Sequence, residues 1–230
     1  CFHVSFDSDT FDESAYAKLA ADWFQLPLYD IQLTPQDAFD ILSDLSRHLD
    51  EPFGNSSAIP TTLCARLARD HGVTTMIAGD GGDELFAGNE RYIRQKKIAT
   101  WQHRVPAWIR HTLAHLPGPV QRSSLRRIVR ASQLANCSIG ERILEGTAVL
   151  NANPRDVLHP EIADAVRSNG PVEDLEAYAE ACPDENWLRQ LLYIDMKYTL
   201  ADNDLRKVGA ACELAGVEVA YPMLDEAVVE

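Results

Sequence analysis

The first part of the chain alternates between short β-forming runs and amphipathic segments with helical periodicity. The predicted strands cover residues 2–6, 28–33 and 73–78, and the predicted helices cover about 12–26, 35–49 and 60–71. The third strand is β-forming throughout, which is typical of a strand buried on both faces of a parallel sheet. Strands separated by helices favour a doubly wound α/β architecture with a parallel sheet.

The pattern becomes purely helical after about Gly88. The predicted helices there cover about 89–99, 105–116, 120–134, 139–149, 174–181, 184–200 and 203–215. Proline and glycine separate most of these segments, as expected at helix ends. We therefore expect an α/β part at residues 1–100 and a mainly helical part at residues 101–230.

Length and composition indicate a folded globular chain and exclude some partners. The 230 residues have room for one large or two small domains, and 46% hydrophobic residues are enough for a core. No apolar run reaches the length of a membrane span, so no membrane partner is expected. The net charge of −14 makes nucleic acid an unsuitable partner. Five widely spaced cysteines without a C-x-x-C pair favour free thiols and a cytoplasmic location.

The segment Ala78 to Glu84, Ala-Gly-Asp-Gly-Gly-Asp-Glu, directly follows the third predicted strand. Ligands of open α/β sheets bind at this end of the strands, and the glycines allow backbone N–H groups to approach an anion closely. Carboxylates repel phosphate, but a Mg²⁺ ion between them binds both and removes this repulsion. The loop is thus a candidate phosphate and magnesium site. On local chemistry alone, a Gly-Gly turn whose carboxylates cap the next helix explains it equally well.

A second polar loop, Glu51 to Pro60, contains Asn55, Ser56 and Ser57. Their side chains are suited to bind phosphate or a sugar hydroxyl. Simple capping of the helix that follows is an equally good explanation from local rules.

Three blocks together resemble the synthetase domain of glutamine-hydrolysing asparagine synthetases. The first is Asp50-Glu51-Pro52-Phe53-x-x-Ser56-Ser57-Ala58-Ile59-Pro60, and the second is Ala78 to Gly88. The third covers residues 206–225 and ends in a Glu-x-x-x-Pro-x-Leu-Asp-like pattern. The blocks occur in the family's order and span most of the chain.

The resemblance implies a Rossmann-like fold of the adenine-nucleotide α-hydrolase (HUP) type. It also implies a ligase reaction in two steps. ATP activates a carboxylate, aspartate by default, as an acyl-adenylate and releases pyrophosphate. Ammonia from an N-terminal glutaminase domain of the same full-length chain then displaces AMP to give asparagine. ATP and Mg²⁺ are the implied cofactors, and a homodimer is left open.

Site residues follow from the matching motif positions. Val4 is expected to contact adenine, and Ala78 and Gly79 to place backbone groups against ATP. Asp80 takes the position of an acidic residue that forms and uses the adenylate, and a general-base role toward ammonia suits it. Asp83 is the expected magnesium ligand. The resemblance also implies Ser56 and Ser57 as candidates for nucleotide or phosphate contacts, but less strongly than the residues above.

The chain departs from the family pattern at several places. A pyrophosphate loop of the Ser-Gly-Gly-x-Asp-Ser type is expected just before Cys1, so the fragment alone is expected to be inactive. Ala78 stands where serine is commoner, Gly209-Ala210 replace an Asp-Arg-like pair, and Ala220 replaces an arginine. Two alternatives therefore stay open. One is an amidotransferase or a β-lactam or peptide cyclase that acts on another carboxylate, and the other is a non-catalytic nucleotide-binding domain.

Overall fold

The computed structural model of the chain describes residues 1–7, 13–51, 53–116, 125–145, 154–165, 170–184 and 186–229. No helix within these ranges combines the length and the apolar character needed to cross a bilayer. The chain divides into two compact units. Unit 1 comprises residues 1–82 with 198–230, and unit 2 comprises residues 83–197. The division at residue 100 that the sequence predicts stays a prediction of domain organisation.

The strands of unit 1 form two parallel pairs. Strand β1 (Phe2–Ser5) pairs with β2 (Tyr29–Gln32), and β3 (Thr75–Ile77) pairs with β4 (Glu218–Ala220). The Ala78 N–H extends the second pair by donating to the carbonyl of Ala220 at 2.9 Å. The α/β class and the parallel pairing are confirmed. One continuous Rossmann-like sheet stays a prediction, because two separate two-stranded sheets are present in the described residues.

Helical elements accompany these strands. Five of them are α-helices in the described residues, namely α1 (Ser14–Phe24), α2 (Pro35–His48), α3 (Ala58–Asp70), α13 (Leu205–Ala215) and α14 (Glu226–Val229). A 3-10 turn (Pro222–Leu224) precedes α14. The predicted start of α1 at Asp12 lies outside the described residues. The aromatic residues of α1 are largely exposed to solvent, with exposed fractions of 76% for Tyr16 and 80% for Trp23.

Helix ends follow the local chemistry of the sequence. Thr34 caps α2 by accepting from the Asp37 N–H, and the Asp37 carboxylate accepts from the Thr34 N–H in return. Gly72 follows α3 with φ of +77°, the left-handed conformation that favours glycine. The Thr34 cap fixes where α2 begins, and Gly72 fixes where α3 ends before β3 starts.

Two apolar clusters hold unit 1 together. In the first, Ile41 and Leu45 of α2 pack with Val4 of β1 and Leu63 of α3. In the second, Ala65 of α3 packs with residues of α13 and the segment after it, namely Val208, Cys212, Ala215 and Val217. Helix α3 contributes to both clusters, so it joins the two strand pairs through packing.

The regular secondary structure of unit 2 is helical in its described residues. Its helices are α4 (Gly82–Phe86), α5 (Glu90–Arg104), α6 (Ala107–Ala114), α7 (Arg126–Asn136), α8 (Ile139–Leu144), α9 (Pro154–Val157), α10 (Pro160–Ala165), α11 (Gly170–Ala181) and α12 (Trp187–Ile194). Ile98, Leu134 and Ala135 form an apolar cluster with Trp101, whose indole N–H donates to the Ser132 hydroxyl at 3.2 Å. The predicted residues 120–124 and 146–149 lie outside the described ranges.

A π-helical segment, Asp195–Asp204, connects α12 to α13. The sequence predicted two helices, at 184–200 and 203–215, with a break between them. Instead the backbone stays helical from Trp187 to Ala215, with wider turns in the middle. Such π-helical turns are rare and often occur at functional sites.

Candidate nucleotide cleft and carboxylate loop

A cleft of about 370 Å³ lies within unit 1. Its walls come from β1, β3, the N-terminal half of α3, and α13. Val4, Ser57, Ala78 and Asp80 all line it, so the structure brings together four residues that the sequence assigned to one site. Val4 is 9% exposed and gives this side of the cleft an apolar surface.

Asp80 is the ionisable residue of the loop that faces this cleft. Partial burial raises the pKa of its carboxyl group, Lys207 lowers it and Asp204 raises it again. Lys207 lines the cleft too and forms an ion pair with Asp204, with 2.8 Å between Nζ and Oδ1. The cleft lining therefore carries one carboxylate and one ammonium group, and the ammonium group is paired with Asp204. Lys207 thus lines the cleft while it takes part in a partly buried ion pair.

The raised pKa of Asp80 predicts how the Asp80→Asn variant unfolds at different pH values. Because the folded state disfavours the ionised carboxylate, ionisation of Asp80 costs stability as pH rises through its folded pKa. The variant lacks this cost, so we expect it to melt at a higher temperature than the wild type at neutral pH. The two midpoints should converge in acid, where Asp80 is protonated. Thermal unfolding from acid to neutral pH measures this difference, and a variant that is less stable at neutral pH would contradict the account.

Ser57 and Ser56 differ in their surroundings. The Ser57 hydroxyl donates to Asn55 Oδ1 at 2.6 Å, and the same oxygen accepts from the Ser57 N–H at 3.0 Å. Because its hydrogen is engaged, the Ser57 hydroxyl has to reorient before it can donate to a phosphate. Ser56 is exposed and lines a neighbouring cavity with residues of α2 and the 53–59 segment. The structure therefore separates Ser56 from the cleft that Ser57 lines.

Gly79 and Gly81 shape the start of the carboxylate loop. Gly79 is exposed, and its carbonyl accepts from the Gly82 N–H at 3.3 Å, which closes the turn. Gly81 has φ of +93°, and a Cβ there would lie 2.3 Å from Leu224 Cδ2. The positive φ favours glycine at this position, and any other residue would also displace the Leu224 side chain.

Asp83 lies on α4 in unit 2 and is exposed. Its carboxylate lies against the backbone of Gly88, where a Cβ would approach Oδ1 to 2.6 Å. Glycine at residue 88 therefore leaves room for this carboxylate. No group of three or more His, Cys, Asp or Glu side chains among the described residues is arranged to hold a metal ion. One exposed carboxylate still fits Mg²⁺, which binds proteins through one or two carboxylates together with substrate phosphates and water.

Glu84, the third carboxylate of the loop, is directed into unit 2. It is 5% exposed, and its Oε1 lies 3.6 Å from Nη2 of Arg91. Burial raises the pKa of Glu84, while its backbone hydrogen bond and Arg91 lower it. The loop carboxylates therefore have different roles, since Asp80 faces the cleft, Asp83 faces solvent, and Glu84 anchors α4 to α5.

Arg91 also binds Asp195, the first residue of the π-helical segment. Its Nη2 lies 3.1 Å from Asp195 Oδ2, and Asp195 is 1% exposed. Burial alone would lower the pKa of Arg91, but Asp195, Tyr92 and Glu84 raise it. The Tyr92 ring is buried, and burial together with Asp195 raises the pKa of its phenol. Sequence reasoning did not identify this network. The available signal was the position of Asp195 directly after the apolar run Leu191 to Ile194.

Comparisons with known proteins agree with the motifs. The family model of asparagine synthase matches residues 1–230. The chain is 23% identical over its full length to asparagine synthetase [glutamine-hydrolyzing] 1 of Bacillus subtilis, 35% of which is covered. Half of the chain is 29% identical to a Methanocaldococcus jannaschii protein named as asparagine synthetase [glutamine-hydrolyzing] 2, 22% of which is covered.

A further relative has a different name. Amidase chyE of Penicillium rubens is 28% identical over 46% of the chain, which corresponds to 16% of that protein. The chain thus spans about a third or less of the length of these relatives. No solved structure matches the chain significantly. Because the family model covers every residue, the chain belongs to the asparagine synthase family.

Proposed function

We propose that the full-length protein is a ligase that forms an amide by adenylating a carboxylate with ATP. The observation that carries this proposal is that Val4, Ala78 and Asp80 line one cleft in a chain of the asparagine synthase family. Aspartate is the proposed carboxylate and asparagine the proposed product. Ammonia would come from glutamine in an N-terminal domain, because relatives that match this chain are named as glutamine-hydrolysing synthetases.

In the first step, a carboxylate oxygen of the substrate attacks the α-phosphorus of ATP and pyrophosphate leaves. Val4 would pack against adenine, and the backbone at Ala78 and Gly79 would contact the nucleotide. Asp83 would hold Mg²⁺, which neutralises charge on the leaving pyrophosphate when bound. Catalysis of this step rests mainly on positioning and on electrostatic stabilisation.

In the second step, ammonia attacks the acyl carbon and AMP leaves with the oxygen that came from the carboxylate. The attacking nitrogen has to lose a proton, and Asp80 would accept it. A carboxylate whose pKa is raised by burial is a stronger base than one in water, and the nearby ammonium of Lys207 favours its ionised form. Asp80 thus suits a general base.

A second candidate substrate is a carboxylic acid other than aspartate. The similarity to an amidase named chyE supports this alternative, as does the site of Gly209 on α13. A Cβ at Gly209 would meet no heavy atom within 4 Å, so packing does not require glycine there. The glycine removes the acidic side chain of the expected pattern, which favours a substrate with different polar groups.

Exchange of radiolabelled pyrophosphate into ATP tests the proposal and identifies the substrate. The full-length protein is incubated with ATP, Mg²⁺ and one carboxylic acid at a time, with aspartate, glutamate and larger amino acids in the set. We expect exchange that depends on Mg²⁺ and on one acid. Exchange with none of them, by a folded protein that binds ATP, would oppose the adenylation proposal.

A further inference from the structure

Unit 2 contains a cavity of about 230 Å³ with an arginine-rich lining. Arg91, Arg94 and Arg142 line it together with two acidic residues, Asp195 and Glu145. The apolar part of the lining comes from Leu134, Ile143 and Leu191. The cavity is smaller than the clefts that usually hold drug-sized ligands, about 300–1,000 Å³, so it suits a small ligand.

Both acidic residues of the lining are already engaged with arginine. Asp195 binds Arg91 at 3.1 Å. Glu145 is paired with Arg130, and Nη2 of Arg94 lies 3.9 Å from Glu145 Oε2. Arg91 thus balances the charge of Asp195, and Arg130 and Arg94 balance the charge of Glu145. Arg142 gives the cavity an excess of positive charge.

Arg142 has no carboxylate within 4.0 Å among the residues that the structure describes. Its Nη1 donates to Gln102 Oε1 at 3.4 Å, a long hydrogen bond to a neutral group. Burial lowers the pKa of Arg142, and Cys137 and Glu176 offset this only in part. A partly buried guanidinium with no carboxylate beside it among the described residues costs free energy, and a bound anion would lower this cost.

Two buried donors of the same lining also lack acceptors. The Nε atoms of Arg91 and Arg142 are inaccessible to solvent and have no hydrogen-bond partner in the described part of the chain. Buried polar groups in folded proteins are almost always hydrogen-bonded, to protein, water or ligand. Because these two atoms are inaccessible, a ligand in the cavity would not contact them directly, but their uncompensated donor character favours an anion beside the two guanidinium groups.

We propose that this cavity binds a small oxyanion, a carboxylate or phosphate group, with Arg142 as its main ligand. Planar guanidinium groups bind such groups through paired charge-assisted hydrogen bonds. A neutral ligand would leave the charge of Arg142 uncompensated. The inference does not depend on the adenylation chemistry proposed above, because it rests on residues of unit 2 alone.

Calorimetric titration of the full-length protein with inorganic phosphate and with succinate tests this proposal. Sodium chloride at matched ionic strength serves as the reference. We expect saturable binding of at least one probe, weakened at least about tenfold in Arg142→Gln because a charge-assisted contact is lost. Arg189→Gln is the matched control, since Arg189 is exposed and pairs with Asp184. It should bind as the wild type does.

The results separate the two ligand sources. Binding of phosphate alone identifies a phosphate site, and binding of succinate alone identifies a carboxylate site. If the wild type binds neither probe, or if Arg142→Gln binds both as tightly as the wild type, the proposal is wrong. If Arg142→Gln does not fold, the same titration is carried out with Arg142→Lys, which keeps the charge but loses the guanidinium. Its affinity should also fall about tenfold, and an unchanged affinity would overturn the proposal.

Discussion

Replacing Asp83 with alanine in the full-length protein is expected to lower pyrophosphate exchange by about a thousandfold or more. Asp83 is the exposed carboxylate of the loop and the proposed magnesium ligand. Without it, the charge that develops on the leaving pyrophosphate loses its metal-mediated stabilisation. The exchange assay with aspartate, or with whichever acid supports exchange, measures the loss at saturating Mg²⁺.

Two further variants make this result specific. Gly88→Ala introduces a Cβ that would lie 2.6 Å from Asp83 Oδ1, so it should displace the carboxylate and lower exchange by roughly tenfold. Asp22→Ala removes an exposed aspartate of α1, whose partner is Lys18, and should leave exchange unchanged. Wild-type exchange in Asp83→Ala, with the same dependence on Mg²⁺, would refute the assignment of Asp83 as a metal ligand.

Replacing Asp195 with asparagine should have the largest effect on stability. The change leaves the shape of the side chain almost intact but removes the charge that Arg91 binds at 3.1 Å in the interior of unit 2. Breaking one partner of a buried ion pair costs about 3–5 kcal/mol. Such a loss lowers the thermal midpoint of a domain of this size by roughly 10 °C. Scanning calorimetry or circular dichroism of the full-length protein measures it.

Asp202→Asn is the matched control, because Asp202 is exposed on the same π-helical segment. Its midpoint should stay within about 2 °C of the wild type. The double variant Arg91→Met with Asp195→Asn should lose less stability than the two single variants added together, because the Arg91–Asp195 interaction is then lost only once; Glu84 loses its arginine in the double variant as it does in Arg91→Met alone. A midpoint of Asp195→Asn equal to that of the wild type would show that the pair does not hold α5 to the π-helical segment.

Local features were predictable from the sequence because their causes lie within a few residues. The Thr34 cap of α2 and the left-handed Gly72 depend on side-chain and backbone chemistry of one turn. The carboxylate loop was recognised for the same reason, and its position after β3 followed from the strand–helix pattern. That Val4 and Asp80 line one cleft was expected only through the family resemblance, because local patterns do not show which strands are neighbours.

Contacts between distant segments were not predictable in the same way. Arg91 and Asp195 meet only because unit 2 packs α5 beside the end of α12, and no local pattern links two residues so far apart. The different surroundings of Asp80, Asp83 and Glu84 also depend on packing, since their chemistry in the sequence is nearly identical. The π-helical turns after Ile194 were missed because apolar periodicity distinguishes poorly between α and π geometry.

Transfer of oxygen-18 from the carboxylate substrate is the most direct measurement of the central claim. The full-length protein is given ATP, Mg²⁺, ammonia and the acid that supports exchange, with both carboxylate oxygens labelled, and the nucleotide product is analysed by mass spectrometry. Attack of the carboxylate on the α-phosphorus predicts AMP that carries one labelled oxygen. Labelled inorganic phosphate together with ADP, or AMP without label, would contradict the account.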